Sequence, residues 1–168
     1  MESILATIFL KIQEHIKNEV PEVKWVDQDF GQLEFYKDRP AVLLPCVLID
    51  MEDTDYEDET AKIQTGETKL IIRLCCAAYS DAASPRQQLQ KELALQYLNI
   101  EHRLNKALHT WCDNELFTPM MRKKAITEKR DDNLRVRAIK YVFNFNDNTA
   151  MDVPVQTIDR PDLEIELD

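Results

Sequence analysis

Leu89, Leu93, Tyr97, Ile100, Leu104, Leu108 and Trp111 recur at three- and four-residue steps, which places them on one face of a single helix. Ser84 offers an N-cap, and Pro85 a first-turn residue whose missing amide hydrogen is not needed there. At about 1.5 Å per residue, a helix over Pro85–Trp111 is roughly 40 Å long. A compact domain of 168 residues has a radius of gyration of about 15 Å. Such a helix crosses the whole body, and the rest of the chain must supply something flat to cover its stripe.

A second amphipathic helix opens the chain. Ile4, Leu5, Ile8, Phe9, Ile12, Ile16 and Val20 form its apolar face, opposite Lys11, Glu14, Lys17 and Asn18. Ser3 is the expected N-cap, and Pro21 stops the helix.

The remaining segments read as strands. Val23, Trp25 and Val26 suggest a short one, closed by a turn at Asp29-Phe30-Gly31. Ala41–Ile49 is an apolar run interrupted by Pro45, which removes a ladder donor and so predicts an edge strand or a bulge. Lys69–Tyr79 is long and apolar, as a central strand buried on both faces would be. Met121–Lys129 and Leu134–Phe145 flank Asp131-Asp132-Asn133, a hairpin signature. In the second arm Ile139, Tyr141, Phe143 and Phe145 alternate with Lys140 and Asn144, the period of a half-buried strand. Two single-faced helices and a mostly antiparallel mixed sheet predict an α+β two-layer sandwich, with both helices on one sheet face. Residues 1–147 are expected to form one domain, and 148–168 an acidic C-terminal extension. That extension reads as a loosely held terminus, or as a strand added to a neighbour's open edge. The other sheet face is expected to be exposed or covered by a partner, and Val42, Leu44, Leu70, Ile72 and Leu74, more apolar surface than two helices cover, point to an oligomer.

Composition excludes more chemistry than it suggests. Gly31 and Gly66 are the only glycines, too few for a phosphate-cradling loop. Cys46, Cys75, Cys76 and Cys112 contain no CxxC pair, so a zinc knuckle is not expected. They read as reduced, mostly buried apolar residues. His102 and His109 are seven apart, which is not the i,i+4 spacing of a helical metal pair. No metal, no cofactor and no enzymatic activity are expected. No apolar run reaches the length of a membrane helix. The Met-Glu-Ser-Ile start lacks the basic region of a secretory signal. The expectation is a soluble, intracellular domain with no membrane partner.

Charge is the informative quantity. The formal net charge is −10, which argues against nucleic acid as the partner of the surface as a whole. The acids are concentrated: Asp50, Glu52, Asp53, Asp55, Glu57, Asp58 and Glu59 crowd one stretch, which predicts a loop or mobile hairpin tip. Its alternate acids resemble a calcium loop, but Asp58 stands where the obligatory glycine belongs and Gln64 where the bidentate Glu belongs. The bases are concentrated too, at Arg122, Lys123, Lys124, Lys129, Arg130, Arg135 and Arg137. A basic hairpin admits three readings: a solvated surface, a nucleic-acid contact, or contact with the acidic stretch of the next identical subunit. Opposite patches on one chain favour head-to-tail association. The expected subunit-interface residues are Asp53, Asp55, Glu57, Asp58, Arg122, Lys123, Lys124, Arg135 and Arg137.

The order helix, strand, acidic loop, central strand, long helix, hairpin, tail resembles the tail-terminator and tail-completion (minor head–tail joining) proteins of long-tailed phages. The stretches Asp29-Phe30-Gly31-Gln32-Leu33-Glu34 and Arg39–Ile49 are similar to small prophage proteins of that kind. The likeness covers roughly Met1–Asp147. It implies a non-enzymatic protein that assembles with itself into a ring, often of six subunits, and meets tail-tube and head-connector proteins. It further implies a place in the bacterial cytoplasm during assembly and in the virion tail afterwards. The acidic tail lies outside the family pattern. The alternative is a small nucleic-acid-binding module using the hairpin 121–137.

Overall fold

A computed structural model of the chain describes residues 3–34, 42–78, 82–83 and 85–151. The elements run α1 (Ile4–Glu19), β1 (Trp25–Gln28), β2 (Cys46–Thr60), β3 (Ile63–Ala77), α2 (Gln88–Leu108), β4 (Met121–Glu128) and β5 (Leu134–Asp147). The strands form one mixed sheet in the order β1-β2-β3-β5-β4. Only β1 and β2 pair in parallel; the other neighbours are antiparallel. The fold is α+β, with a mostly antiparallel sheet, as the periodicities predict.

Both helices lie on one face. Ile8, Ile12 and Ile16 of α1 and Ile100, Leu104 and Leu108 of α2 meet Ile49, Leu70, Ile72, Ile139, Tyr141 and Phe143 in one buried cluster. Burying each such side chain contributes about 1.5–3 kcal/mol. His15 stacks on Trp111 with ring centroids 3.9 Å apart and donates from Nε2 to the Ala107 carbonyl at 2.9 Å. That pair fastens α1 to the chain leaving α2. Leu70, Ile72, Leu74 and Val42 are buried within the chain itself, so the apolar surplus expected on the open sheet face is not there. On that face a second cluster, with Leu33, Val42, Cys46, Leu48, Cys75 and Val136, is roofed by the connection from β1 to β2.

Three local expectations are corrected. The acidic stretch is not a loop: Asp50–Thr60 continues β2 and pairs with β3 as far as Thr60↔Ile63. Its neighbours outweigh its self-repulsion. Thr54 and Thr68 hydroxyls share a hydrogen bond of 2.9 Å, and Tyr56 sits edge-on to Phe145. Gly66 permits that approach, because a Cβ there would stand 2.7 Å from the Phe145 ring. Next, β2 is not an edge at Pro45. The proline precedes Cys46, where pairing begins on both sides, and the register shifts fall instead at Met51/Thr54 and Asp58/Thr60. Finally, α2 runs from Gln88 to Leu108, with Gln87 as N-cap and His109 as C-cap. An Arg86 amide to Ala83 carbonyl bond closes a turn at Pro85, so helical geometry starts later than the proline signal suggests; Ser84 is outside the described residues. At the other end Thr110 takes φ 66° and turns Trp111 back toward α1.

Candidate functional site

Two open edges carry the charge that the sequence concentrates. β1 covers β2 only from Cys46 to Ile49. Beyond Ile49 the outer side of β2 has no strand partner among the described residues. That open length, Asp50–Thr60, holds seven acids and no base. At the far side of the sheet, β4 pairs with β5 alone among the described residues. Its Arg122, Lys123 and Lys124 are exposed and make no ion pair among the described residues. Acidic and basic edges therefore lie on opposite sides of one sheet. They are level only at the inner end of the acidic edge, since Lys124 pairs with Lys140, Lys140 with Ile71, and Ile71 with Asp50; from Thr54 onward the acidic edge runs past the end of β4.

Each expected interface residue has a definite place. Asp53 and Asp55 flank Lys69 at 3.5 and 3.7 Å. The hydrogen bond that Lys69 donates to Asp53 and the charge of Asp55 hold the Lys69 ammonium above its usual pKa. These are exposed pairs, weakened by solvent screening and by the entropy of holding long side chains in place. Asp58 accepts from Gln64 Nε2 at 2.8 Å, and Glu57 is exposed with no ion pair among the described residues. Arg135 stands on the interior strand β5, not on an edge, and caps the Tyr97 ring, 4.9 Å from its centroid. Arg137 faces α2 and grips Glu101 with two bonds of 2.8 Å; Glu101 hydrogen bonding raises the Arg137 pKa. The basic cluster thus splits. Arg122, Lys123 and Lys124 stand free on the edge, whereas Arg137 and Arg130 are engaged within the fold, Arg130 with Asp132 at 2.5 Å.

A buried polar network escapes a reading of spacing. Arg73, at the centre of β3, donates to Asp29 at 2.8 Å, to Glu34 at 2.5 Å and to both Glu128 oxygens at 2.9 and 2.8 Å. Burial alone would lower the Arg73 pKa, but bonds to Glu128, Glu34 and Asp29 reverse that and raise it. The network pins the segment after β1 over the second apolar cluster and ties it to β4. Its partners are 39 to 55 residues away in the chain, so no local signal marks it.

Burial sets the chemistry of the sheet cysteines. Cys46, Cys75 and Cys76 are buried and unpaired by disulfides. Contact with Cys46 and burial push the Cys75 thiol far up, and burial pushes Cys76 up to about 12. The Cys75 and Cys76 thiols are therefore protonated at neutral pH, and a thiol is a poor nucleophile. Among the described residues no three His, Cys, Asp or Glu side chains converge as metal ligands.

The third surface feature is a groove of about 590 Å³ beside the first half of α2. Leu44 and Cys76 line one side, Leu93 and Tyr97 the other, and Lys24 and Arg135 supply its charge. The stripe expected to be continuous along α2 is buried only from Ile100 onward. Leu89 and Leu93 are 66% and 57% exposed, because the first three turns overhang the sheet.

No family model and no curated protein matches the chain. Among solved structures, it is similar to a chain of the virion of a native gene transfer agent (GTA) particle, with a TM-score of 0.45 and 8% identity, over 84% of this chain and 91% of that one.

Proposed function

We propose that the protein is a structural, ring-forming component of a phage-type tail, of the terminator or head–tail joining kind. The observation that carries this reading is the pair of open sheet edges with opposite charge, acidic at Asp50–Thr60 and basic at Met121–Lys124. An open strand edge is a row of unpaired amides and carbonyls ready for another strand. When one copy's acidic edge meets the next copy's basic edge, the contact is heterologous. Such contacts propagate, and they close into a ring when the rotation per subunit divides a full turn. Arg122, Lys123 and Lys124 of one subunit then face Glu57, Asp58 and their neighbours in the next. The element order supports the tail assignment through its resemblance to the terminator proteins. In that role the ring meets tail-tube and head-connector proteins and performs no catalysis.

Light scattering on the purified chain, read as molar mass against protein and salt concentration, tests this. The expected result is a discrete multimer at 0.1 M salt that loosens toward 1 M, where screening shortens the Debye length from about 10 to about 3 Å. A monomer at every concentration and salt level contradicts it.

A further inference from the structure

The overhanging half of α2 leaves an apolar flank without cover among the described residues. Leu89 and Leu93 are exposed along it, and the groove beside it is lined by Leu44, Cys76, Leu93, Ala94 and Tyr97 with two cations. Those cations, Lys24 and Arg135, make no ion pair among the described residues, unlike Arg73, Arg103, Arg130 and Arg137. The site is built for something apolar on one side and acidic on the other.

The chain contains such a segment. Residues 152–168 lie outside the described residues, and their sequence ends Asp162-Leu163-Glu164-Ile165-Glu166-Leu167-Asp168. In an extended chain this alternation sets Leu163, Ile165 and Leu167 on one side and the four acids on the other. Arg160 is the only base in 152–168.

We infer that residues 162–168 of one copy dock in the α2 groove of a neighbouring copy, with the leucines and isoleucine against Leu93 and Tyr97 and the acids against Lys24 and Arg135. Chain length sets the choice of neighbour over self. The described chain leaves β5 at Asp147, whereas the groove lies at the Leu134 end, beside Arg135 and Ala77. Thirteen residue steps along β5 separate the two ends by about 43 Å. The fifteen residues from Asp147 to Asp162 reach about 50 Å when fully stretched, and a flexible chain of that length spans only roughly 21 Å on average. Reaching its own groove therefore requires near-complete extension, which a flexible chain resists. The inference rests on the reading that copies assemble, but it uses a surface separate from the two charged edges.

Cysteine cross-linking between full-length chains tests it. Leu93→Cys and Ile165→Cys variants are purified separately, mixed under mild oxidant and digested for mass spectrometry, with scattering mass measured in parallel. The control pairs Ile165→Cys with Leu10→Cys, an exposed α1 position outside the groove. The expected result is a 93–165 intermolecular disulfide at least about tenfold more abundant than the 10–165 product, as high effective concentration produces. Adding Lys24→Glu and Arg135→Glu to the Leu93→Cys chain is expected to remove most of that excess. Equal 93–165 and 10–165 yields from a chain that still forms multimers overturn the tail docking and leave the edge-to-edge ring standing. An intramolecular 93–165 bond in a monomeric double variant overturns both.

Discussion

Arg73 Nη1 donates to Asp29 Oδ2 at 2.8 Å on the sheet face away from the helices. Both side chains are nearly buried, 12% and 10% exposed. The bond fixes where the chain goes after β1, and therefore where the cover of β2 stops and its open acidic edge begins. Arg73→Met removes the cation and leaves the nearly buried Asp29 and the half-buried Glu128 without their shared partner. Removing one partner of a buried pair costs about 3–5 kcal/mol. Because Glu34 and Glu128 retain some solvent, the expected loss is near the lower end, about 3 kcal/mol by urea denaturation. A loss under about 1 kcal/mol would mean that the network does not hold the connection.

Acid should release the same connection. The Arg73 hydrogen bond, against some burial, holds Glu34 below its usual value of 4.5. Arg130 depresses Asp132 in the same way. A depressed carboxyl contributes stability that is fully present above the unfolded-state pKa and is lost as pH falls through the folded-state value. Asp50 acts in the opposite sense: burial, with Asp29 and Glu52 nearby, raises its pKa, so its protonation favours the fold. Glu34→Gln should therefore lower Tm at neutral pH and flatten the fall of Tm below about pH 4.5. Parallel Tm–pH curves for the two proteins would contradict this.

Two leucines eleven positions apart on α2 should behave differently. Leu104 is fully buried, and Leu104→Ala is expected to cost about 2–4 kcal/mol through lost transfer energy and the cavity left behind. Leu93 is exposed, and Leu93→Ala is expected to change stability by less than about 0.5 kcal/mol when measured at low protein concentration. Similar losses at both sites would show that the first half of α2 is core within the single chain.

What the sequence reveals follows from how local each signal is. The β5 alternation at Ile139, Tyr141, Phe143 and Phe145 and the α1 stripe are single-face periodicities, and both elements appear where the pattern puts them. The acidic half of β2 is misread because its strand character comes from β3, through Thr68 and Lys69, and not from its own residues. Helical periodicity identifies which face of α2 is apolar but carries no information on whether a sheet extends beneath it, so Leu89 and Leu93 look like core. The charged segments of the candidate interface are legible as composition. Their placement on opposite edges is not, because it depends on β5 inserting between β3 and β4. Arg73 and its carboxylates are invisible in the sequence for the same reason.

Charge exchange between the two edges is the most direct test of self-assembly. One full-length variant carries Arg122→Glu, Lys123→Glu and Lys124→Glu; the other carries Asp55→Lys, Glu57→Lys and Asp58→Lys. Each alone sets like charges against like at every junction between copies, whereas a mixture restores an attractive contact at every junction. Molar mass by light scattering is expected to show each variant dissociated and the equimolar mixture reassembled to the wild-type multimer. Wild-type mass for each variant alone, or no gain on mixing, would contradict assembly through these edges.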